Sequence, residues 1–309
     1  DGGGKGMAAG RRTAPSGGHA LGNLHARQFF AREVAAMPAS RMLSIAHLSA
    51  LEATPLELID GAARAGLDAL GLRIIAPRPG DIVADVAGNR AAIRELKTEL
   101  AARGLVLSDI EAIILKEETD LPTLDAALEA GAELGARHVV VNMYIEDPHR
   151  AAERFGELCR HVARHDLNAA LEFIPLSLLK TLDAALAVLG GGGQPNGKLL
   201  IDAIHLSRSG GHPRDLAKVA PELFAFAHLC DAPLKQPGVE DLPIETRQQR
   251  LLPGKGELWL DEFVAALPPT LQIGIEAPCL ETAGLPVAQK VVMNASAARR
   301  VLGIPEPRY

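Results

Sequence analysis

The sequence predicts an α/β chain folded as a single (β/α)8 barrel, on three observations. From residue 42 onward, eight short apolar runs alternate with amphipathic stretches, and strand–helix alternation implies a parallel sheet. Eight such units in about 265 residues fit a closed barrel better than an open doubly wound sheet. No G-x-G-x-x-G follows the first run, and the GGGG at 190–193 follows a helix, so it reads as a loop and not as a phosphate cradle.

The elements follow in order. The first strand, 42–46 (MLSIA), leads to Thr54-Pro55-Leu56-Glu57, a capping box with proline at the first helical position, and Gly66 closes that helix. Strand 68–72 (DALGL) precedes a helix over 89–103, ended by Gly104. Strand 105–111 (LVLSDIE) precedes a helix over 122–134, ended by Gly135. Strand 138–142 (HVVVN) precedes a helix opened by Asp147-Pro148. Strand 169–173 (AALEF) precedes a helix over 178–189, expected to stop at the glycine run. Strands 198–202 (KLLID), 224–229 (FAFAHL) and 271–276 (LQIGIE) are followed by helices at 213–219, 258–267 and 286–302.

Residues 41–305 therefore form the expected barrel domain. Residues 1–40 differ: DGGGKGMAAGRRTAPSGG is rich in glycine, alanine and basic residues and has no periodicity. They are expected to be an added segment ahead of a native start at Met37 or Met42, with a natural upstream extension or a transit-like segment as alternatives, and to pack outside the barrel or be poorly ordered. A short helix is expected at 23–37, with Phe29, Phe30 and Val34 on one side.

Composition narrows the function classes. The net charge is −6, from 32 basic and 38 acidic residues, so nothing favours nucleic acid or an anionic membrane as a partner. Aromatic residues are only 3%, which argues against base-stacking surfaces. The three cysteines, Cys159, Cys230 and Cys279, are widely separated, so no disulfide framework is expected and the cytoplasm is the default location. No run approaches the ~20 apolar residues of a membrane span. The expected partner is a small-molecule substrate, and the sequence is compatible with a homo-oligomer.

The chemistry gathers at the ends of the last four strands. Glu172 (ALEFIP), Asp202 (LLIDAIHL), His228 (FAFAHLCD) and Glu276 (IGIEAP) each close an apolar run. A carboxylate at the end of a buried strand is costly unless a cation offsets its desolvation. Each residue alone has an ordinary explanation, as a solvated strand end, a turn cap or a core histidine. Together they predict one metal site, because barrel strands converge at their C-terminal ends. Two glutamates, an aspartate and a histidine suit Mn²⁺ best, and also accept Mg²⁺, Co²⁺ or Zn²⁺. Cys230 is expected to face away from His228, and Asp231 to accept from the second imidazole nitrogen.

The pattern resembles the sugar phosphate isomerase/epimerase superfamily, the xylose-isomerase-like barrels, over roughly residues 42–303. It rests on LEF at strand five, D-x-x-H from Asp202 to His205, and H-x-x-D from His228 to Asp231. It rests further on R-x-x-P-G-x-G from Arg250 to Gly256 and IxIE on strand eight. The resemblance implies that Glu172, Asp202, His228 and Glu276 bind one divalent metal and that His205 contacts substrate. It also implies that Glu172 and Glu276 shuttle a proton, while the metal stabilises the enediolate formed from a hydroxy-carbonyl compound. Arg250 is expected to hold an anionic substrate group. Arg208 and His212, in the glycine-rich SRSGGHP, are candidates to reach a carboxylate or phosphate. His47, Glu111 and Asn142, ending strands one, three and four, are candidates to line the pocket.

Two departures bear on the substrate. Leu234 and Lys235 stand where ketose epimerases of this family often carry an arginine. Gly71 stands where many members have an acidic residue on strand two, leaving Arg73 as the polar group there. The expected activity is a metal-dependent isomerase or epimerase on a polyhydroxylated carbonyl compound. The alternatives are a lyase resembling 3-dehydroshikimate dehydratases and a metal-free barrel used as a binding or subunit protein.

Overall fold

The structure is a computed structural model that describes Gly2 and residues 41–307; the expected extension and its helix at 23–37 lie outside the described residues. Eight parallel strands pair in chain order and close on themselves. They are β1 (Leu43–Ile45), β2 (Ala69–Arg73), β3 (Val106–Leu115), β4 (His138–Met143), β5 (Asn168–Glu172), β6 (Gly197–Asp202), β7 (Phe224–Leu229) and β8 (Ile273–Ile275). β8 returns to β1 through the pairs Leu43–Ile273 and Ile45–Ile275, which closes the barrel.

The helix signals act as the sequence predicts. Thr54 and Glu57 form the reciprocal capping box that starts Pro55–Arg64. Asn89 accepts from the Ala92 amide to start Arg90–Arg103, and Gly104 ends that helix at φ 66°, a conformation glycine adopts without a Cβ penalty. Asp147 caps Pro148–Ala163. Val287–Leu302 ends at Gly303.

Three expectations need correction. β3 runs on to Leu115, so Glu111 is mid-strand and pairs with Arg73 of β2, not at a strand end. Two short helices, Ala203–Arg208 and Leu242–Gln248, lie in segments expected to be loops. The helix expected over 178–189 starts later, at Leu182, and runs through the glycines to Gly192. The glycines have a packing reason. A Cβ on Gly191 would lie 2.7 Å from the Ala152 Cβ, and one on Gly156 would lie 3.0 Å from the Gly192 carbonyl oxygen. Helices Pro148–Ala163 and Leu182–Gly192 thus approach through bare backbone.

Strand periodicity sets the barrel interior. Residues two apart share a face, and the inward series are Val140/Asn142, Ala170/Glu172, Leu200/Asp202, Phe226/His228 and Gly274/Glu276. The first members of four of these pairs pack together with Ala112 as a small apolar cluster inside the barrel. The second members form a polar layer one step nearer the C-terminal strand ends. The outward side chains, such as Ile110, Val139, Val141, Leu171 and Ile201, join the large core beneath the helices. Among the described residues, no helix is long and apolar enough to cross a membrane.

The helix contact at the glycine run gives a paired prediction. Gly191→Val should destabilise the protein by about 1–3 kcal/mol through overpacking. Gly190→Ala, where a Cβ meets nothing within 4 Å, should be neutral or gain up to about 1 kcal/mol from helix propensity. Urea unfolding of both variants checks this, and equal effects would show that the glycines are not a packing device.

Candidate active site

The polar layer brings Glu172, Asp202, His228 and Glu276 together. One potential ligand atom from each lies within 4.8 Å of the others, and all four residues are buried. The Nδ1 atom of His228 sits 3.8 Å from Glu172 Oε1, 3.8 Å from Asp202 Oδ2 and 3.5 Å from Glu276 Oε2. Neighbouring donors around one ion with bonds of ~2.1 Å lie about 3.0–3.4 Å apart, so a small contraction would complete a shared site.

Two atoms test whether the residues fit a cation. Glu172 Oε1 and His228 Nδ1 are buried and have no hydrogen-bond partner. They face each other, and buried polar atoms are rarely left unpaired. Their neighbours aim them. The Asn142 side chain donates to Glu172 Oε2 at 2.9 Å, which leaves Oε1 as the free oxygen. The His228 ring lies against Gly274, where a Cβ would come within 2.9 Å of Cδ2, and the Phe226 ring meets it edge-on at 5.2 Å. The donor set fits a divalent ion.

Arg250 occupies a different place from the one the sequence suggested. Its guanidinium is buried and donates to Asp202 Oδ2 at 2.6 Å and pairs with Glu276 Oε2 at 2.8 Å. Further bonds run to the Glu276 carbonyl at 2.9 Å and the Thr246 carbonyl at 2.7 Å. With its donors used on the protein, Arg250 holds the candidate ligands and is not free to grip a substrate anion. Asp202 is doubly committed, since its Oδ1 also accepts from the Ile204 amide and caps the helix Ala203–Arg208.

The electrostatics follow from this crowding. Burial would lower the His228 pKa, but the carboxylates of Glu276, Glu172 and Asp202 outweigh it and raise it to about 10. Burial pushes Glu276 up to about 7, against the nearby charges of His228 and Arg250. Burial also opposes ionisation of Asp202, yet Arg250, His205 and His228 hold its carboxyl below the ordinary range.

Other predicted residues divide between the site and its frame. Glu111, Asn142, Glu172, His205, His228 and Glu276 line a cavity of about 690 Å³. His205 is buried with Nδ1 unpaired. His47 is a frame residue: Nδ1 accepts from the Arg73 amide at 3.0 Å, so Nε2 carries the proton and donates to the Ala53 carbonyl at 3.0 Å. Arg208 is also corrected. Its guanidinium binds both oxygens of Glu245, at 2.8 and 2.6 Å, and the Pro233 carbonyl at 2.8 Å. It is buried in that pairing and does not line the cavity. His212 caps Pro213–Lys218 and packs on Trp259 at 4.5 Å.

Cys230 and Asp231 also differ from expectation. Residues 228 and 230 are two apart, so Cys230 turns to the same side as His228, and its Sγ lies 3.7 Å from Asp202 Oδ1 and 3.5 Å from Arg250 Nη1. Burial, then the Asp202 charge, keeps it a thiol by raising its pKa well above normal. Asp231 does not serve His228. Its carboxylate accepts from the amides of Ala232, Gly254, Gly256 and Leu258 at 2.9–3.0 Å. A Cβ on Gly256 would lie 2.5 Å from Asp231 Oδ1. The H-x-x-D and P-G-x-G segments are thus two halves of one loop lock that presents Arg250. Sequence reasoning missed Arg78, Arg247 and Tyr144, which also line the cavity; they sit in loops and a short helix with no periodic signal. A second group with metal-ligating potential, Asp125, His161 and His165, is partly exposed and shared with Arg164.

Comparison with known proteins agrees with this architecture. A family model described as a xylose isomerase-like TIM barrel matches residues 59–280. Among solved structures, an IOLI protein with a bound zinc atom superposes with a TM-score of 0.71 at 17% identity, covering 85% of this chain and 98% of its own. A probable 3-DHS dehydratase, AsbF, from Bacillus anthracis gives 0.66 at 15% identity, covering 83% and 98%. A D-psicose 3-epimerase in the presence of D-fructose gives 0.62 at 16%, covering 85% and 97%. At these identities the likeness concerns the fold. No curated protein matches the chain in sequence.

The raised His228 pKa makes ion binding proton-linked. The imidazolium is the metal-free form at pH 7, and a ligand nitrogen must be deprotonated, so binding should release about one proton or more and weaken as pH falls. Calorimetric titration with Mn²⁺ in buffers of different ionisation enthalpy measures that number. Release of no proton would contradict a His228 that is protonated in the metal-free protein and gives up that proton to ligate the ion.

Proposed function

Because the chain belongs to the xylose isomerase-like TIM barrel family, we propose that it is a divalent-metal-dependent isomerase or epimerase acting on a sugar or other polyhydroxylated carbonyl compound through an enediolate. The observation that carries this reading is the convergence of Glu172, Asp202, His228 and Glu276, three of which, Glu172, His228 and Glu276, form the floor of an open cavity. Glu172, Asp202, His228 and Glu276 would hold the ion, Mn²⁺ by preference for this donor set. When bound, it would polarise the oxygens of a hydroxy-carbonyl group and favour loss of the intervening proton.

The chain's own residues supply the rest. Glu172 and Glu276 come from β5 and from the residue after β8, and both line the cavity. A substrate carbon between them would have a carboxylate on either side, one to remove a proton and one to return it. Asn142 keeps Glu172 from rotating, and Arg250 does the same for Glu276. His205, with a free ring nitrogen at the cavity wall, would orient a substrate oxygen.

The proposal is tested by a screen of keto-sugars, inosose-like cyclitols and dehydroshikimate with added Mn²⁺. With an active substrate, Glu172→Gln and Glu276→Gln should each lower turnover by at least ~10²–10⁴-fold, the effect of losing a positioned acid or base. His205→Ala should reduce turnover and spare ion binding. Solvent deuterium should appear in recovered substrate or product. A conjugated product absorbing in the ultraviolet would reassign the chain to the dehydratases, which begin with the same proton removal. Wild-type turnover in Glu276→Gln, or full activity after metal removal, would refute the mechanism.

A further inference from the structure

The cavity carries more positive charge than its catalytic floor needs. Arg73, Arg78, Lys116, Arg247 and Lys290 all line it. Two of these are neutralised nearby: Lys290 by Glu52 and Lys116 by Glu118. Arg73 is only partly satisfied. One Nη meets Glu111 at 3.3 Å, while its Nε is buried with no hydrogen-bond partner. Glu111 is itself fixed by the His47 amide at 3.1 Å. Among the described residues, neither Arg78 nor Arg247 has a carboxylate within ion-pair distance. These cations also feel one another. Arg78 and Arg247 are exposed at the cavity wall; partial burial and then the charge of Arg78 lower the Arg247 pKa, with Tyr144 and Asp81 opposing and Arg73 adding to it.

Three guanidiniums in one concave site are unfavourable alone and favourable around an anion. The arrangement runs against the chain as a whole, whose net charge is −6. Arginine's planar fork matches a carboxylate or phosphate, whereas a neutral hydroxyl calls for no cluster of charge. Arg250, the arginine nearest the candidate ligands, is excluded by its own bonds to Asp202 and Glu276.

We infer that the substrate bears an anionic group, a carboxylate or a phosphate, which Arg73, Arg78 and Arg247 bind while its hydroxy-carbonyl end reaches Glu172 and Glu276. This rests on the isomerase or epimerase reading of the same cavity. It defines the class of compound as a sugar acid, a related cyclic hydroxy acid or a sugar phosphate.

Inorganic phosphate and D-glycerate, titrated calorimetrically into the Mn²⁺-loaded protein, test the inference and separate the two anion types. At least one should bind. Binding should weaken by at least about tenfold in each of Arg78→Gln and Arg247→Gln, as expected for a lost charge-assisted contact, and should weaken with added NaCl. Mn²⁺ affinity in both variants should match wild type. Absence of binding by both anions, or undiminished binding in both variants, overturns the inference. So does a neutral sugar turned over with the same kcat/KM by wild type and Arg247→Gln, which would leave the catalytic proposal standing. Arginine-dependent anion binding supports the inference even in a protein with no isomerase, epimerase or dehydratase turnover, where only the catalytic proposal would fail.

Discussion

Glu172, Asp202 and Glu276 bring three carboxyl groups and the His228 ring within a few ångströms of each other in a buried layer of the barrel. Such a cluster opposes folding unless positive charge is built into it. Arg250 provides one cation, wedged between Asp202 and Glu276. His228 provides a second by holding its proton far above the usual imidazole range, in spite of burial. The imidazolium is the replaceable partner, since its Nδ1 faces all three carboxylates and has no hydrogen bond to lose. A divalent ion in its place would balance the same charges and free the ring to ligate.

The barrel makes this charge tolerable by layering. The apolar residues Val140, Ala170, Leu200 and Phe226 lie one inward step below Asn142, Glu172, Asp202 and His228. They give the polar residues a packed floor, with glycine at 274 making room for the imidazole. The loop after β2 carries Arg78 and the segment after β7 carries Arg247, so the groups that would choose a substrate are separate from those that would perform the proton transfer.

The eight strands and four candidate ligands were legible because both depend on short-range pattern. A buried parallel strand must be continuously apolar, so the polar residue that ends ALE, LLID, FAH or GIE stands out. Capping residues such as Thr54 and Asp147 likewise act within one turn. What was illegible depends on pairing across the fold. Arg208 and Glu245 are 37 residues apart, and Arg250 and Asp202 are 48 apart; no local pattern says that either arginine is consumed internally. The glycine run misled because its purpose is a neighbouring helix surface. Cys230 was misjudged against the strand period itself, which places residues 228 and 230 on one side.

The most direct test of the shared cation site is anomalous scattering from crystals of the protein grown with Mn²⁺. The account predicts one strong peak at the manganese edge, bounded by Glu172, Asp202, Glu276 and His228 Nδ1, with Arg250 still paired to the two carboxylates. Bonds should be close to ~2.0–2.3 Å. A peak only at Asp125, His161 and His165, or an active enzyme with no ion among the four buried residues, would contradict it.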